Sequence, residues 1–291
     1  MVKGLTAIMK PNLLIDLHES KRKGPGRRAW NLLNGLIKLK KEFDICSNNF
    51  DYAFGLQLSK VNLYFNKLNL NTPIGPNVIH EFSANKNISD KFKNFVVQSK
   101  WVQDFMTWSD ESIANTKRFF EYPASVNIDE WYYGTKNHIN NNCVFYTKYQ
   151  SDENRLIYEK ELKKRNQSYI TIEYGKYNKV DLLQACWHSE YCVFNSCCEK
   201  SSNALLEILA TNTPVYVIDS KRWIGDDKFD RATSAPHFSP VCGAKNSDNI
   251  DFNTFIENVK TNKYNPIDFV IDYDIDKIAQ KVLDILEECY S

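Results

Sequence analysis

The sequence predicts an α/β protein, and three stretches predict it. The first runs from Tyr191 to Asp219 and reads as strand, loop, helix, strand. Tyr191 to Cys197 is a short apolar run, suited to a strand covered on both faces. Glu199 to Ser201 is the loop. Ser202 is placed to cap a helix over Asn203 to Ala210, whose apolar residues are Leu205, Leu206, Ile208 and Leu209. Pro214 ends that helix, because a proline pushes its predecessor out of the α region. Val215 to Ile218 is then a second buried strand. In the second stretch, the apolar run Leu13 to Leu17 leads into the loop Gly24-Pro25-Gly26. An amphipathic helix follows over Arg27 to Lys41, with Trp30, Leu33, Leu36 and Ile37 on its apolar side. In the third, the pattern restarts at Cys143, after a linker over Gly134 to Asn142 that has no periodicity.

The remaining elements follow in order. Leu5 to Met9 is a first strand. Tyr52 to Gln57 and Asn62 to Phe65 are further strands. Phe95 begins a strand that gives way, with Ser99 as cap, to a helix carrying Trp101 and Phe105 on one side for packing. Phe119 opens another strand, and Cys143 to Lys148 is the first strand after the linker. Ser168 to Tyr174 is a strand closed by the turn Gly175 to Tyr177, and Val180 to His188 is a helix. Arg222 to Val241 shows no clear period. Phe252 to Val259 is a short helix, and Asp274 to Glu288 a final amphipathic one.

Composition narrows the function classes. With 291 residues, 43% of them hydrophobic and 25% charged, the chain suits one large or two moderate globular domains. A net charge of +1 makes no electrostatic case for nucleic acid. No apolar run reaches transmembrane length. The opening residues are too short and interrupted for a signal peptide, which points to the cytoplasm. Five metal-capable residues lie close in sequence: Cys186, His188, Cys192, Cys197 and Cys198. They fall in a predicted helix and a buried strand, without the paired loop spacing of a zinc site. They read as reduced, buried cysteines acting as small apolar side chains. Asp272-Tyr273-Asp274 mimics a D-x-D metal motif, but it stands at a helix start, where acids suit the macrodipole. No metal site is expected.

The loop of the first stretch carries the chemistry. Glu199 and Glu207 stand eight positions apart. Between them the free N–H groups of a helix start, Ser201 to Ala204, offer an anion site. Only Ser201, Ser202, Asn203 and Ala204 line it, so a ligand can approach the backbone.

This arrangement resembles the donor site of the retaining GT-B glycosyltransferases, the large group marked by a Glu-x7-Glu element, here in a short viral or bacterial form. The likeness continues in the glycine loop Gly24-Pro25-Gly26, in Gly75-Pro76-Asn77, in the stretch from Phe95 to Phe105, and in Tyr264-Asn265-Pro266. It implies two Rossmann-like domains facing across a cleft. Residues 1–135 form the acceptor side, the helical end 272–291 packs back onto it, and 136–271 bind the nucleotide sugar.

The implied activity is that of a hexosyltransferase-like enzyme of glycan biosynthesis. It moves a sugar from a nucleotide diphosphate to a glycan or other hydroxyl acceptor, with retention, with no metal and no cofactor beyond the co-substrate. UDP- or GDP-linked sugars are the expected donors. By the same resemblance Glu199 contacts the transferred sugar and Glu207 the ribose. Lys148 and Arg155 clamp the diphosphate with Ser201, Ser202, Asn203 and Ala204. Gly175 and Tyr177 meet the base, Gly24, Pro25 and Gly26 approach the sugar-diphosphate, and His18 or His80 supplies a cleft histidine. The loop departs from the family in having Lys200-Ser201-Ser202 where a glycine commonly follows the first Glu. Two alternatives stay open on the same fold. One is a nucleotide-sugar- or glycan-binding protein without turnover; the other is a sugar-nucleotide hydrolase or phosphorylase.

Overall fold

The computed structural model describes residues 11–15, 24–41, 43–45, 50–56, 58–75, 86–134, 142–148, 152–221 and 228–291. It divides into two compact units. The described residues up to Val97, with Met106–Tyr122 and Asp276–Ser291, make the first; Gln98–Phe105 and Pro123–Ile275 make the second.

In the first unit, strands β1 (Asn12–Ile15), β2 (Asp44–Ile45) and β3 (Tyr52–Phe54) pair in parallel in the order β2-β1-β3. Strands β4 (Asn94–Val97) and β5 (Arg118–Glu121) form a second parallel pair. Single-residue bridges from Leu56 to Ile74 and from Ile74 to Phe95 carry the pairing from one set to the other. The last helix, Ile275–Tyr290, belongs to this unit from Asp276 onward. Its Tyr290 hydroxyl lies 3.1 Å from Thr72 Oγ1 and accepts the Ala53 N–H at 3.2 Å.

The second unit holds one five-stranded parallel sheet. Its strands are β6 (Asn142–Lys148), β7 (Ser168–Glu173), β8 (Tyr191–Ser196), β9 (Val215–Val217) and β10 (Gly243–Lys245), in the order β10-β9-β8-β6-β7. All six residues of β8 are buried, because helices cover both faces. Side chains alternate between faces along a strand. Cys192 and Phe194 therefore pack with the helices Lys179–Trp187 and Asn203–Ala210, while Tyr191 and Val193 pack with Phe252, Phe255 and Leu162.

Local chemistry sets the helix ends. Asn178 and Asp181 form a reciprocal capping box for Lys179–Trp187. Ser202 caps Asn203–Ala210 by accepting the Leu205 N–H at 3.2 Å, as its sequence position predicts. That helix stops where Asn212 turns left-handed (φ 55°) before Pro214. Asp274 starts the last helix by accepting the N–H groups of Ile275 and Ile128 at 2.9 and 3.1 Å. No metal-binding cluster occurs among the described residues. Their seven cysteines are buried and unbridged, and burial pushes the thiols of Cys143 and Cys242 up to about 12. They pack as apolar side chains.

Several sequence expectations are corrected. Gly24-Pro25-Gly26 is not a loop before a helix but its first turn, since the helix spans Gly24–Lys38. Proline is tolerated there because first-turn N–H groups have no intrahelical acceptor. Asn62–Phe65 is not a strand: the helix Leu58–Tyr64 runs through it, burying Val61 and Tyr64 three positions apart and exposing Leu63. Ser99 stands before the helix Lys100–Ser109, and its carbonyl accepts the N–H groups of Val102 and Gln103. Its hydroxyl is buried without a hydrogen bond, so it does not cap. The expected strand Leu5–Met9, both candidate histidines, His18 and His80, and most of the linker lie outside the described residues.

Gly243 gives this fold a direct test. Its φ of +145° and the overlap that any Cβ would make with the Val215 carbonyl oxygen leave room for glycine alone. Gly243→Ala is expected to cost the second unit at least about 2 kcal/mol. Denaturant titration followed by circular dichroism checks it, and an unchanged midpoint contradicts the close approach of β10 to β9.

Candidate functional site

Open parallel sheets bind ligands beyond the carboxyl ends of their strands. In the second unit those ends bring Lys148, the last residue of β6, against Glu199 in the loop after β8. The strands are neighbours, with Lys148 registered on Ser196. Lys148 Nζ donates to both Glu199 carboxylate oxygens, at 2.9 and 3.0 Å. Ser196 Oγ donates to Glu199 Oε1 at 2.7 Å. Glu199 is 7% exposed, so this is a buried, fully engaged carboxylate. The ammonium also lies 4.5 Å from the centre of the Tyr174 ring, a cation–π contact. Burial alone would lower the Lys148 pKa. The Glu199 carboxylate overrides it through charge and hydrogen bonding, with Tyr174 adding to the effect, and the net direction is upward. Lys148 is thus a fixed cation at neutral pH.

The helix Asn203–Ala210 begins four residues after Glu199. Its first-turn N–H groups, those of Asn203 and Ala204 among them, have no acceptor within the helix and give that end positive character. The Asn203 Oδ1 is buried without a hydrogen bond. Ser202 spends its hydroxyl on the cap. Ser201 Oγ accepts the Ala124 N–H at 2.6 Å, which ties the loop to the segment entering this unit. Glu207 is buried one helical turn further on. Beneath it Tyr146 stacks on Phe194 at 4.8 Å and 3°. Burial first, then the charges of Tyr177, Glu199 and Glu207, push the Tyr146 hydroxyl upward, so it stays protonated.

The other expected site residues stand on separate elements. Arg155 lies in the helix Asp152–Lys164, and its Nε donates to Glu159, one turn on, at 2.9 Å. Gly175 takes the left-handed turn after β7 (φ +83°) with open space where a Cβ would stand. Tyr177, next to that turn, packs edge-on against Tyr146 at 6.2 Å. Gly24, Pro25 and Gly26 form the helix start of the first unit.

Sequence reading missed the groups that hold Glu199 in place. Trp101, expected only to pack, donates its indole N–H to the Glu199 carbonyl at 2.8 Å. Thr233, in the stretch without period, accepts the Glu199 N–H through its carbonyl at 2.9 Å. The one sequence signal for Ser196 was its place as a polar residue near the end of the run Tyr191 to Cys197. No local pattern marks Trp101 or Thr233, because both contacts are long-range.

Breaking the pair strands a buried charge. Lys148→Met is expected to destabilise the second unit by about 3 kcal/mol, and Lys148→Met with Glu199→Leu to recover most of the loss. The sign with pH follows from the raised lysine. Its contribution is complete below the unfolded value of about 10.4 and fades as pH rises through the folded value. Unfolding titrations of wild type and Lys148→Met should therefore differ by a constant amount from pH 7 to 9 and converge only beyond the ordinary lysine range. A difference that vanishes already at pH 8 contradicts the pair.

No protein-family model and no curated protein matches the sequence. Solved structures do match. The lipopolysaccharide outer core galactosyltransferase WaaB, in its apo form, is 14% identical and superposes over 90% of this chain and 80% of its own, with a TM-score of 0.52. HepE of Anabaena, solved in complex with UDP-glucose, is 10% identical, covers 96% of this chain and 100% of its own, and gives a TM-score of 0.57. At such identities the likeness speaks to architecture, and with the parallel sheets and returning last helix it assigns this chain the GT-B fold.

Proposed function

We propose that the protein is a glycosyltransferase that moves a sugar from a nucleotide diphosphate to a hydroxyl acceptor, with retention and without a metal. The observation that carries the reading is the buried Lys148–Glu199 pair beside the start of the helix Asn203–Ala210 at the carboxyl edge of a parallel sheet. A leaving diphosphate gathers negative charge as the glycosidic bond breaks. Lys148 and the N–H groups at Ser201 to Ala204 would take up that charge, with Arg155 as the second cation. Glu199 would orient hydroxyls of the transferred sugar, and Glu207 those of the ribose. Gly175 and Tyr177 would meet the base, and Gly24 to Gly26 the sugar-diphosphate. The donor belongs to residues 136–271 and the acceptor to residues 1–135. The UDP-glucose held by HepE supports a UDP-linked donor. No protein nucleophile is assigned, and the reaction proceeds on one face through an oxocarbenium-like transition state.

The second reading, donor binding without turnover, draws on one observation. Both Glu199 oxygens are already engaged by Lys148, one of them also by Ser196, which suits a static recognition site.

Nucleotide release from UDP-, GDP-, ADP- and CMP-sugars, with and without mixed sugar acceptors, separates these readings. Release from one donor, stimulated by acceptor and insensitive to chelator, is the expected result. Release indifferent to acceptor indicates a hydrolase. Thermal protection by a donor that never turns over indicates a binding protein. Glu207→Ala is expected to weaken donor binding about tenfold. Glu199→Ala should lower kcat about a hundredfold with little change in affinity. Wild-type affinity and rate in both variants would remove this loop from the donor site.

A further inference from the structure

Glu199 lies in a loop without repeating structure, yet both of its main-chain polar groups are captured by distant segments. Its carbonyl accepts the indole N–H of Trp101, 98 positions earlier, at 2.8 Å. Its N–H donates to the Thr233 carbonyl, well downstream, at 2.9 Å. Trp101 is 4% exposed and packs against Phe229 at 6.2 Å, which in turn meets Phe105 edge-on at 5.1 Å. Thr233 is itself tied down. Its hydroxyl donates to Asp219 Oδ1 at 2.7 Å, and the same oxygen accepts the Ser234 N–H at 2.7 Å. Ser234 Oγ donates to the Ser196 carbonyl at 2.6 Å and accepts the Ser220 N–H at 2.9 Å. Lys245, on β10, donates to the Ala235 carbonyl at 2.9 Å. Asp219 follows β9 closely, so the knot anchors the Glu199 loop to the ends of three strands.

We propose that Trp101, Asp219 and Thr233 are positioning residues for Glu199. The inference rests on the reading of Glu199 as the group that orients the transferred sugar. A carboxylate with that task must be held to within about 0.5 Å, by residues whose own conformations are locked. Lys148 and Ser196 fix the carboxylate; Trp101 and Thr233 fix the backbone from which it extends. Asp219 acts through Thr233 and touches no part of the carboxylate. Segment 228–239, which shows no periodicity, thereby gains a role as a clasp on the loop.

The test uses Trp101→Phe, which keeps an aromatic ring and removes the N–H, and Asp219→Ala, with Asp219→Asn as the conservative partner. Amide hydrogen exchange at Glu199 and Lys200 is measured beside kcat, donor KM and the melting temperature. Trp101→Phe and Asp219→Ala are expected to speed exchange at these two amides at least about tenfold and to lower kcat about tenfold, with KM within about twofold. Asp219→Asn, which keeps the acceptor oxygen, should stay near wild type. Unchanged exchange at both amides overturns the proposal, as does faster exchange spread evenly over the whole second unit. Faster local exchange with unchanged kcat in an active enzyme also overturns it. If one variant fails to fold, the other decides. If wild-type protein turns over no sugar nucleotide, the transferase reading falls, while the exchange data alone still decide whether these residues hold Glu199.

Discussion

A strand buried on both faces can place polar chemistry only at its ends. β8 is such a strand, with six buried residues under two helical layers. Parallel pairing with β6 and β9 satisfies its backbone, and alternating side chains feed two separate apolar clusters. The chain leaves this sheet at Ser196, and two buried cysteines later it reaches the charged pair Glu199 and Lys200. The helix that follows must begin with N–H groups that have no acceptor within the helix. Strand end, carboxylate and helix start are thus one consequence of packing β8 in the middle of the sheet.

The same constraint explains why Glu199 needs so many partners. A carboxylate drawn almost out of solvent is costly unless it is paired and hydrogen-bonded. Lys148 is available because β6 runs beside β8 and in the same direction, so their last residues meet. The buried pair contributes little net stability of its own, since desolvation offsets much of the attraction. What it provides is a cation and a carboxylate at fixed positions, with the lysine held charged by its partner.

The fold was legible wherever a local pattern matched the final environment. The stretch from Tyr191 to Asp219 read correctly because its apolar run, serine cap and proline stop act over a few residues. Asn62 to Phe65 misled because four residues are too few to separate a period of two from one of 3.6. Gly24-Pro25-Gly26 misled because glycine and proline favour turns in general, yet a first helical turn accepts both. In the site, Glu199 was marked by its loop after a buried strand, and Lys148 by the resemblance to the GT-B donor site. The bonds from Trp101 and Thr233 were not, since neither residue carries a signal pointing toward position 199. For Arg155 the charge was legible in the sequence, and its bond to Glu159 one turn away was not.

The buried thiols have a practical consequence. Among the described residues, seven cysteines are spread from the central sheet, at Cys143 and Cys192, through Cys197 and Cys198 beside the loop, to Cys289 at the end of the last helix. Each is sheltered, and a protonated thiol is a poor nucleophile. A thiol-reactive dye would therefore modify each position only when its surroundings open. The rates would chart, without any introduced probe, which parts of the chain breathe together and which come apart alone.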